Sequence, residues 1–469
     1  MFSRKSRLKH AISQMATIVI VVIVIIIIAG GAYAALVLSK PSTSSTTTTT
    51  TTSGATTSST SSTTSTSSTG TSMGPNVTIA MTLSQEGTYA SLDSGYIYFN
   101  QAWANYINSQ GGLVDANGTH HLVTVISGDD GSSASTADTL YTQYATSGAN
   151  VLVSPYSADI GLSLLPISQQ YKVPLIMAEA STKQMWNGTW SWITTDMVPY
   201  WENNTVNAWS ASYFSLLNQT KWAHSIGFVG WNIAWAVDDY TSAVYLANHT
   251  TGLTTDYQAL LAPGTTSFSA QINALKTANN GNAPDIIYCA IFGPVCASFI
   301  VQAEQAGLVP KQWHTIEWGA SFASTLSSAG ISDANITTDV FWTPSFNSSN
   351  AGTSTFNTVL TNANSLATSA GKTPVTWYNY QNIELRMIIY QMIQAAVAKI
   401  PSANFSSTSA ENSAINYELH HLNIPTIAGQ LIVQPEGYGT IGLVTVQFQN
   451  NNVQTVYPSN VANASYVYP

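Results

Sequence analysis

Two or more α/β lobes of parallel sheet covered by helices on both faces are predicted by three observations. The chain has 469 residues, well beyond the ~150 that one domain needs. With 45% hydrophobic and only 7% charged residues it is neither a highly charged disordered chain nor a polytopic membrane protein. From Val77 onward, apolar runs alternate with stretches of helical periodicity, the pattern of βαβ units.

Val77-Thr-Ile-Ala-Met-Thr-Leu83 reads as the first strand, and Tyr96, Phe99, Trp103 and Ile107 predict one helix from about Tyr89 to Ser109, stopped by Gly111-Gly112. His121–Ile126 is a second strand. Ser133 is the expected N-cap of a helix reaching Tyr144, with Gly148 as its stop before strand Val151–Val153. The unit repeats with helix Ile160–Tyr171, strand Val173–Met177, strand Ser225–Gly230, and strand Asp285–Tyr288 feeding a helix from Cys296 to Ala306. In such folds ligands sit in crevices beyond the carboxyl ends of the strands.

Residues 1–75 have a different chemistry. Residues 16–38 form an almost wholly apolar run, long enough to cross a ~30 Å hydrocarbon layer as one helix. Arg4, Lys5, Arg7 and Lys9 precede it and only Lys40 follows closely, so residues 1–15 are expected in the cytoplasm and the rest of the chain outside the cell. The stretch from Lys9 also resembles an archaeal prepilin-like signal cut after Ala11. Processing there and an uncut anchor both leave the helix in place, and a cleaved secretory signal would be shorter. Residues 39–75 then read as an extended stalk, since 28 of the 32 residues from Pro41 to Ser72 are Ser or Thr. Ten Asn-X-Ser/Thr sequons occur from Asn76 to Asn463, close to the chance number for this composition, so they carry little weight.

Charge and motifs exclude several functions. Five of the 13 basic residues lie before residue 41, leaving eight against 22 acidic groups, a net −14, which disfavours nucleic acid as a partner. No phosphate-binding loop, nucleophile elbow, paired CxxC or zinc-protease motif occurs, so neither an enzyme nor a metal or other cofactor is expected. His120-His121 and His420-His421 read as exposed residues near turns, and Asp129-Asp130 and Asp238-Asp239 as turn and capping residues after strands. Cys289 and Cys296 are too few for a disulfide scaffold. A local disulfide and two unpaired buried thiols both fit.

Several segments in order resemble the type 1 solute-binding proteins of the branched-chain amino acid kind, in a membrane-anchored archaeal form, which deliver ligands to ABC transporters. They are Leu83-Ser84, Tyr106-Ile-Asn-Ser-Gln-Gly-Gly-Leu113, Ser127-Gly-Asp-Asp130, Val151-Leu-Val-Ser-Pro155, Tyr171-Lys-Val-Pro-Leu-Ile176, Gln302-Ala-Glu-Gln-Ala-Gly-Leu308 and Val453-Gln-Thr-Val-Tyr-Pro458. The resemblance covers about 76–469. It implies two doubly wound parallel-sheet lobes joined by a three-crossover hinge, with lobe 1 from 76–196 plus 343–428 and lobe 2 from 197–342 plus 429–469, and an ABC permease as partner.

The family's ligand carboxylate is held by loops that correspond here to Ser154–Ala158 and Ala178–Thr182, which contain Ser157, Glu179 and Ser181. A common family serine falls on Ala158, leaving only a backbone donor there. The ammonium-binding acid falls on Glu317 and the two aromatic walls on Trp235 and Phe292, with Tyr89 a further candidate. Eight of the 13 Trp residues lie between Trp186 and Trp235, and such flat faces also suit sugar rings. The alternatives are therefore a sugar-binding protein of the same fold and a surface sensor or adhesion protein that transports nothing.

Overall fold

The computed structural model describes residues 71–178, 182–198, 209–334, 336–344, 350–380, 382–449 and 452–468, which fall in one compact unit, Thr69–Pro469. The expected membrane helix, almost all of the stalk, Glu179, Ser181 and the sequons at Asn203, Asn335 and Asn347 lie outside the described residues. Among the described residues no helix is long and apolar enough to cross a membrane.

β1 (Val77–Leu83) is buried along nearly its whole length, as a strand covered on both faces should be. The helix expected from Tyr89 to Ser109 is instead two, α1 (Ala90–Asp93) and α2 (Tyr96–Ser109). At the break, a β-carbon on Gly95 would lie 2.2 Å from the Tyr380 ring, a neighbour remote in sequence that local periodicity cannot reveal. β2 (Leu113–Val114) and β3 (His120–His121) form a small antiparallel ladder before β4 (Val123–Asp129). Ser133 caps α3 (Ala134–Thr146) as expected, accepting from the Thr136 N–H. β5 (Val151–Val153), α4 (Ala158–Tyr171), β6 (Leu175–Ile176) and β7 (Ile193–Thr194) complete a five-stranded sheet, order β4-β1-β5-β6-β7, every pair parallel.

The second sheet begins after α5 (Ala211–Thr220) with β8 (Ser225–Trp231), followed by α6 (Ala234–Asn248), β9 (Thr254–Leu261), α7 (Ser269–Leu275), β10 (Ile286–Ala290), α8 (Gly293–Gln305), β11 (Gln312–Thr315), α9 (Ala320–Ser328) and β12 (Ile336–Val340). These five strands are parallel, in the order β9-β8-β10-β11-β12. The chain then leaves for α10 (Thr353–Ser369), α11 (Ile383–Val397) and α12 (Thr408–Leu419), which cover the first sheet's side: Phe99 meets Phe356 at 5.8 Å and Trp103 stacks on Tyr390 at 3.7 Å. The hairpin β13 (Asn423–Thr426) and β14 (Gly429–Ile432) leads back to β15 (Val444–Gln449) and β16 (Asn452–Tyr457). β15 pairs antiparallel with β12, and β16 antiparallel with β15, so the second sheet is mixed rather than wholly parallel. β15 and β16 are adjacent in sequence, need no long crossover and can pair antiparallel.

Three local readings are corrected. His121 is fully buried: Phe405 stacks on its ring at 4.0 Å, and its nitrogens lie 2.8 Å from the Pro75 carbonyl oxygen and 3.3 Å from Asp115 Oδ2. His420 is half-buried at the end of α12, where desolvation lowers its pKa. Asp238 and Asp239 lie within α6 rather than in a turn, and Asp239 faces the core, accepting from Tyr288 and Ser210 hydroxyls. Asp129 and Asp130 do shape the turn after β4, and Cys289 and Cys296 are disulfide-bonded.

Candidate ligand-binding cleft

Both sheets share one strand order, in which the first parallel strand lies between the second and third, so each has a topological switch point where crossovers depart to opposite faces. In the first sheet that point lies between β1 and β5, and in the second between β8 and β10. The loops beyond these strand ends line one cavity. Tyr89 follows β1; Tyr156, Ser157 and Ala158 follow β5; Trp235 follows β8; Phe292 follows β10; and Ile316 with Glu317 follows β11. The cavity measures about 20 Å³, room for little more than a water, because its own side chains fill it.

Glu317 is held from both sides. Its Oε1 accepts from the Tyr156 hydroxyl at 2.6 Å, and its Oε2 from the Gly293 N–H at 2.7 Å. Phe292, the N-cap of α8, offers no side-chain cap and Pro294 no N–H, so the Glu317 carboxylate caps this helix from a neighbouring loop. The residue is only partly buried, but its carboxyl is deep enough for desolvation to push the pKa up to about 7, against the two hydrogen bonds that favour the ionised form.

Aromatic rings from both halves meet beside it. Phe292 lies edge-on to Tyr89 at 5.7 Å and stacks on Trp231 at 6.1 Å, while Tyr89 lies 6.2 Å from Tyr156. Burial raises the Tyr89 pKa, so its phenol stays a donor. Trp235, on the first turn of α6, adds another nearly buried wall.

Ser157 is occupied locally: it N-caps α4, accepting from the Asp159 N–H at 3.3 Å. Ala158 opens that helix, so the first-turn N–H groups supply anion-binding character that a missing hydroxyl does not remove. The structure thus brings together Tyr89, Ser157, Ala158, Trp235, Phe292 and Glu317. Sequence reading missed Tyr156, although it lies in the quoted Ser154–Ala158 loop. It also missed Met197, Trp209, Ile316 and Asn382, which line the cavity with no motif to mark them. Asn382 sits at φ 66° before α11, and its buried Oδ1 has no hydrogen-bond partner among the described residues. Among the described residues no three metal-binding side chains come together.

Two open α/β sheets whose switch points face one aromatic cavity define a cleft-type binding protein. The periplasmic binding protein family model matches residues 76–429, and the chain belongs to that family. Its fold is similar to that of the branched-chain amino acid substrate-binding protein LivJ from Streptococcus pneumoniae in complex with isoleucine, at 14% identity and TM-score 0.62, covering 84% of this chain and 100% of that one. The leucine-binding protein LivK from Thermotoga maritima aligns at 15% identity and TM-score 0.61, over 81% and 97% of the two chains. An ABC-transporter solute-binding protein from Rhodopseudomonas palustris in complex with benzoate aligns at 13% identity and TM-score 0.61, over 81% and 95%. No curated protein sequence matches significantly.

Proposed function

We propose that this solute-binding protein captures a small amino-acid-like ligand between two lobes, 76–196 plus 343–428 and 197–342 plus 429–469, and presents it to an ABC permease. Residues 16–38 would anchor it in the cell membrane and residues 39–75 would hold the binding lobes outside the cell. The observation that carries the reading is the Glu317 carboxyl set among Tyr89, Trp235 and Phe292 and held by donors from both sides. A ligand ammonium beside Glu317 would favour its ionised form, and the start of α4 with Ser157 would receive the ligand's acidic end. The family resemblance assigns Ser181 to that same end and puts Glu179 in the same ligand-binding loop. Because the cavity is nearly filled, the ligand must displace side chains or enter an opened cleft, and closure follows from its greater affinity for the closed state.

The test is thermal unfolding of the full-length chain in mild detergent with a panel of amino acids, benzoate and hexoses. A ligand at 100 times its Kd adds about 2.7 kcal/mol of stability and a clear rise in Tm. A rise with amino acids supports the proposal. A rise with hexoses alone moves the site to a sugar, and no rise with any of them favours a surface sensor or adhesion role.

A further inference from the structure

We propose that the Cys289–Cys296 disulfide is a positioning clamp for the binding cleft, fixing the turn that presents Phe292 and the Gly293 N–H to Glu317. The inference rests on the cleft assignment above. Cys289 is the next-to-last residue of β10 and Cys296 lies in the first turn of α8; both are fully buried, and the bond spans a sequence separation of 7. Between them lie Phe292, whose ring meets Tyr89 across the cleft, and Gly293, whose N–H holds Glu317 Oε2 at 2.7 Å. A β-carbon on Gly293 would lie 3.1 Å from the Glu317 Cβ, so this backbone already approaches the acid about as closely as a side chain would allow.

Position argues for a local role. The denatured-state entropy removed by a disulfide grows with the loop it closes, so a ring this short contributes less to global stability by that route than a long one would. β10 is already fixed as an inner strand between β8 and β11. The start of α8 lacks a side-chain cap of its own and takes Glu317 instead. Tying Cys296 to the strand end therefore restrains the helix start, and with it both groups aimed at the cleft. The groups that set the electrostatics of Glu317 are the Tyr156 hydroxyl and the Gly293 N–H, with Tyr89 close enough to feel its charge and Asp159 acting on Tyr89.

The test compares wild type with C289A/C296A in the full-length chain in detergent micelles. The first readout needs no ligand: the Glu317 carboxyl is titrated by carbon-13 NMR on glutamate-labelled protein, its signal assigned by E317Q. Loss of a firm Gly293 donor should move the Glu317 midpoint upward by about 0.5 to 1 pH unit. The second is calorimetry with L-isoleucine as probe, where about five- to twentyfold weaker binding is expected. A loosened fold alone would lower Tm and, by admitting water to the carboxyl, leave the Glu317 midpoint unmoved or lower it. If C289A/C296A does not fold, C289V/C296A, which restores buried volume, carries the same comparison. An unmoved or lowered midpoint overturns the clamp, as does mass spectrometry finding two free thiols in the untreated native protein. Wild type that fails to bind isoleucine counts against the amino-acid reading while the titration still decides the clamp.

Discussion

The two halves keep buried acids by partly different means. On the first sheet's side, Asp93 Oδ1 lies 3.6 Å from Arg386 Nη2, the Ser84 N–H donates to Asp93 Oδ2, and the guanidinium lies 4.8 Å from the centre of the Tyr96 ring. Burial still outweighs that cation and lifts Asp93 to about 7, with Asp196 raised to about 7 and Glu384 to about 8 in the same half. On the second sheet's side, no Lys or Arg among the described residues pairs with Asp239 or Asp339. Tyr288 and Ser210 donate to Asp239 and Thr445 to Asp339, while His314 Nε2 stands 3.8 Å from Asp339 Oδ2 and burial holds that imidazole neutral. The first half therefore adds a single buried cation to a dependence that both halves share, on retained protons. Substitution tests the first kind of dependence, and pH tests the second.

The largest effect is expected at Arg386. R386M removes the partner of a buried carboxylate, and loss of about 3 to 5 kcal/mol should show in urea unfolding of the full chain. A cost under about 1 kcal/mol would mean that protons alone keep the first half's buried acids.

E317Q comes next and acts on the cleft that the two halves share. For a ligand bearing an ammonium group it should cost about 2 to 5 kcal/mol of affinity by calorimetry. Wild-type affinity should rise as pH increases through about 7, where Glu317 ionises. An amino acid that binds both forms equally would remove Glu317 from the ammonium site.

D339N probes a buried acid with no Lys or Arg beside it among the described residues. Burial raises Asp339 from 3.8 to about 8, so between those values the folded state binds the extra proton and stability falls as pH rises. Asparagine keeps the shape without ionising and should flatten that decline by at most about 1.4 kcal/mol per pH unit. Urea midpoints at acidic and mildly alkaline pH measure it, and parallel wild-type and variant curves would refute the contrast.

The smallest effect belongs to Y156F, which removes one hydroxyl donor to Glu317. About 1 kcal/mol of ligand affinity should be lost, with the binding midpoint displaced to higher pH because the ionised acid has lost a donor. Unchanged affinity and midpoint would make the Tyr156 contact incidental.

These comparisons also separate what was legible in the sequence from what was not. Alternation of apolar and periodic segments located β1, β4, β5, β6, β8 and β10 but not β7, β9, β11 or β12, and Ser133 declared its helix, because both signals are local. Ordered family-like segments pointed to Trp235, Phe292 and Glu317, which do line one cavity. Tyr156 as the donor to Glu317, Asn382 as a cavity wall and Gly95 under the Tyr380 ring depend on residues far apart in the chain. His121 shows the same limit from the other side, since an adjacent pair of histidines near a turn looks exposed until Phe405 arrives to cover one of them.

The route of the chain between its two sheets has a consequence for synthesis. The parallel core of the second sheet, β8 to β12, is made before α10 to α12, which finish the first half, and β15 and β16 come after both. Neither half can be completed while the chain is still emerging in order, so the final packing of both waits on late segments. A premature stop ahead of Val444 would leave β12 as a bare edge strand, exposing unpaired backbone groups to other nascent chains.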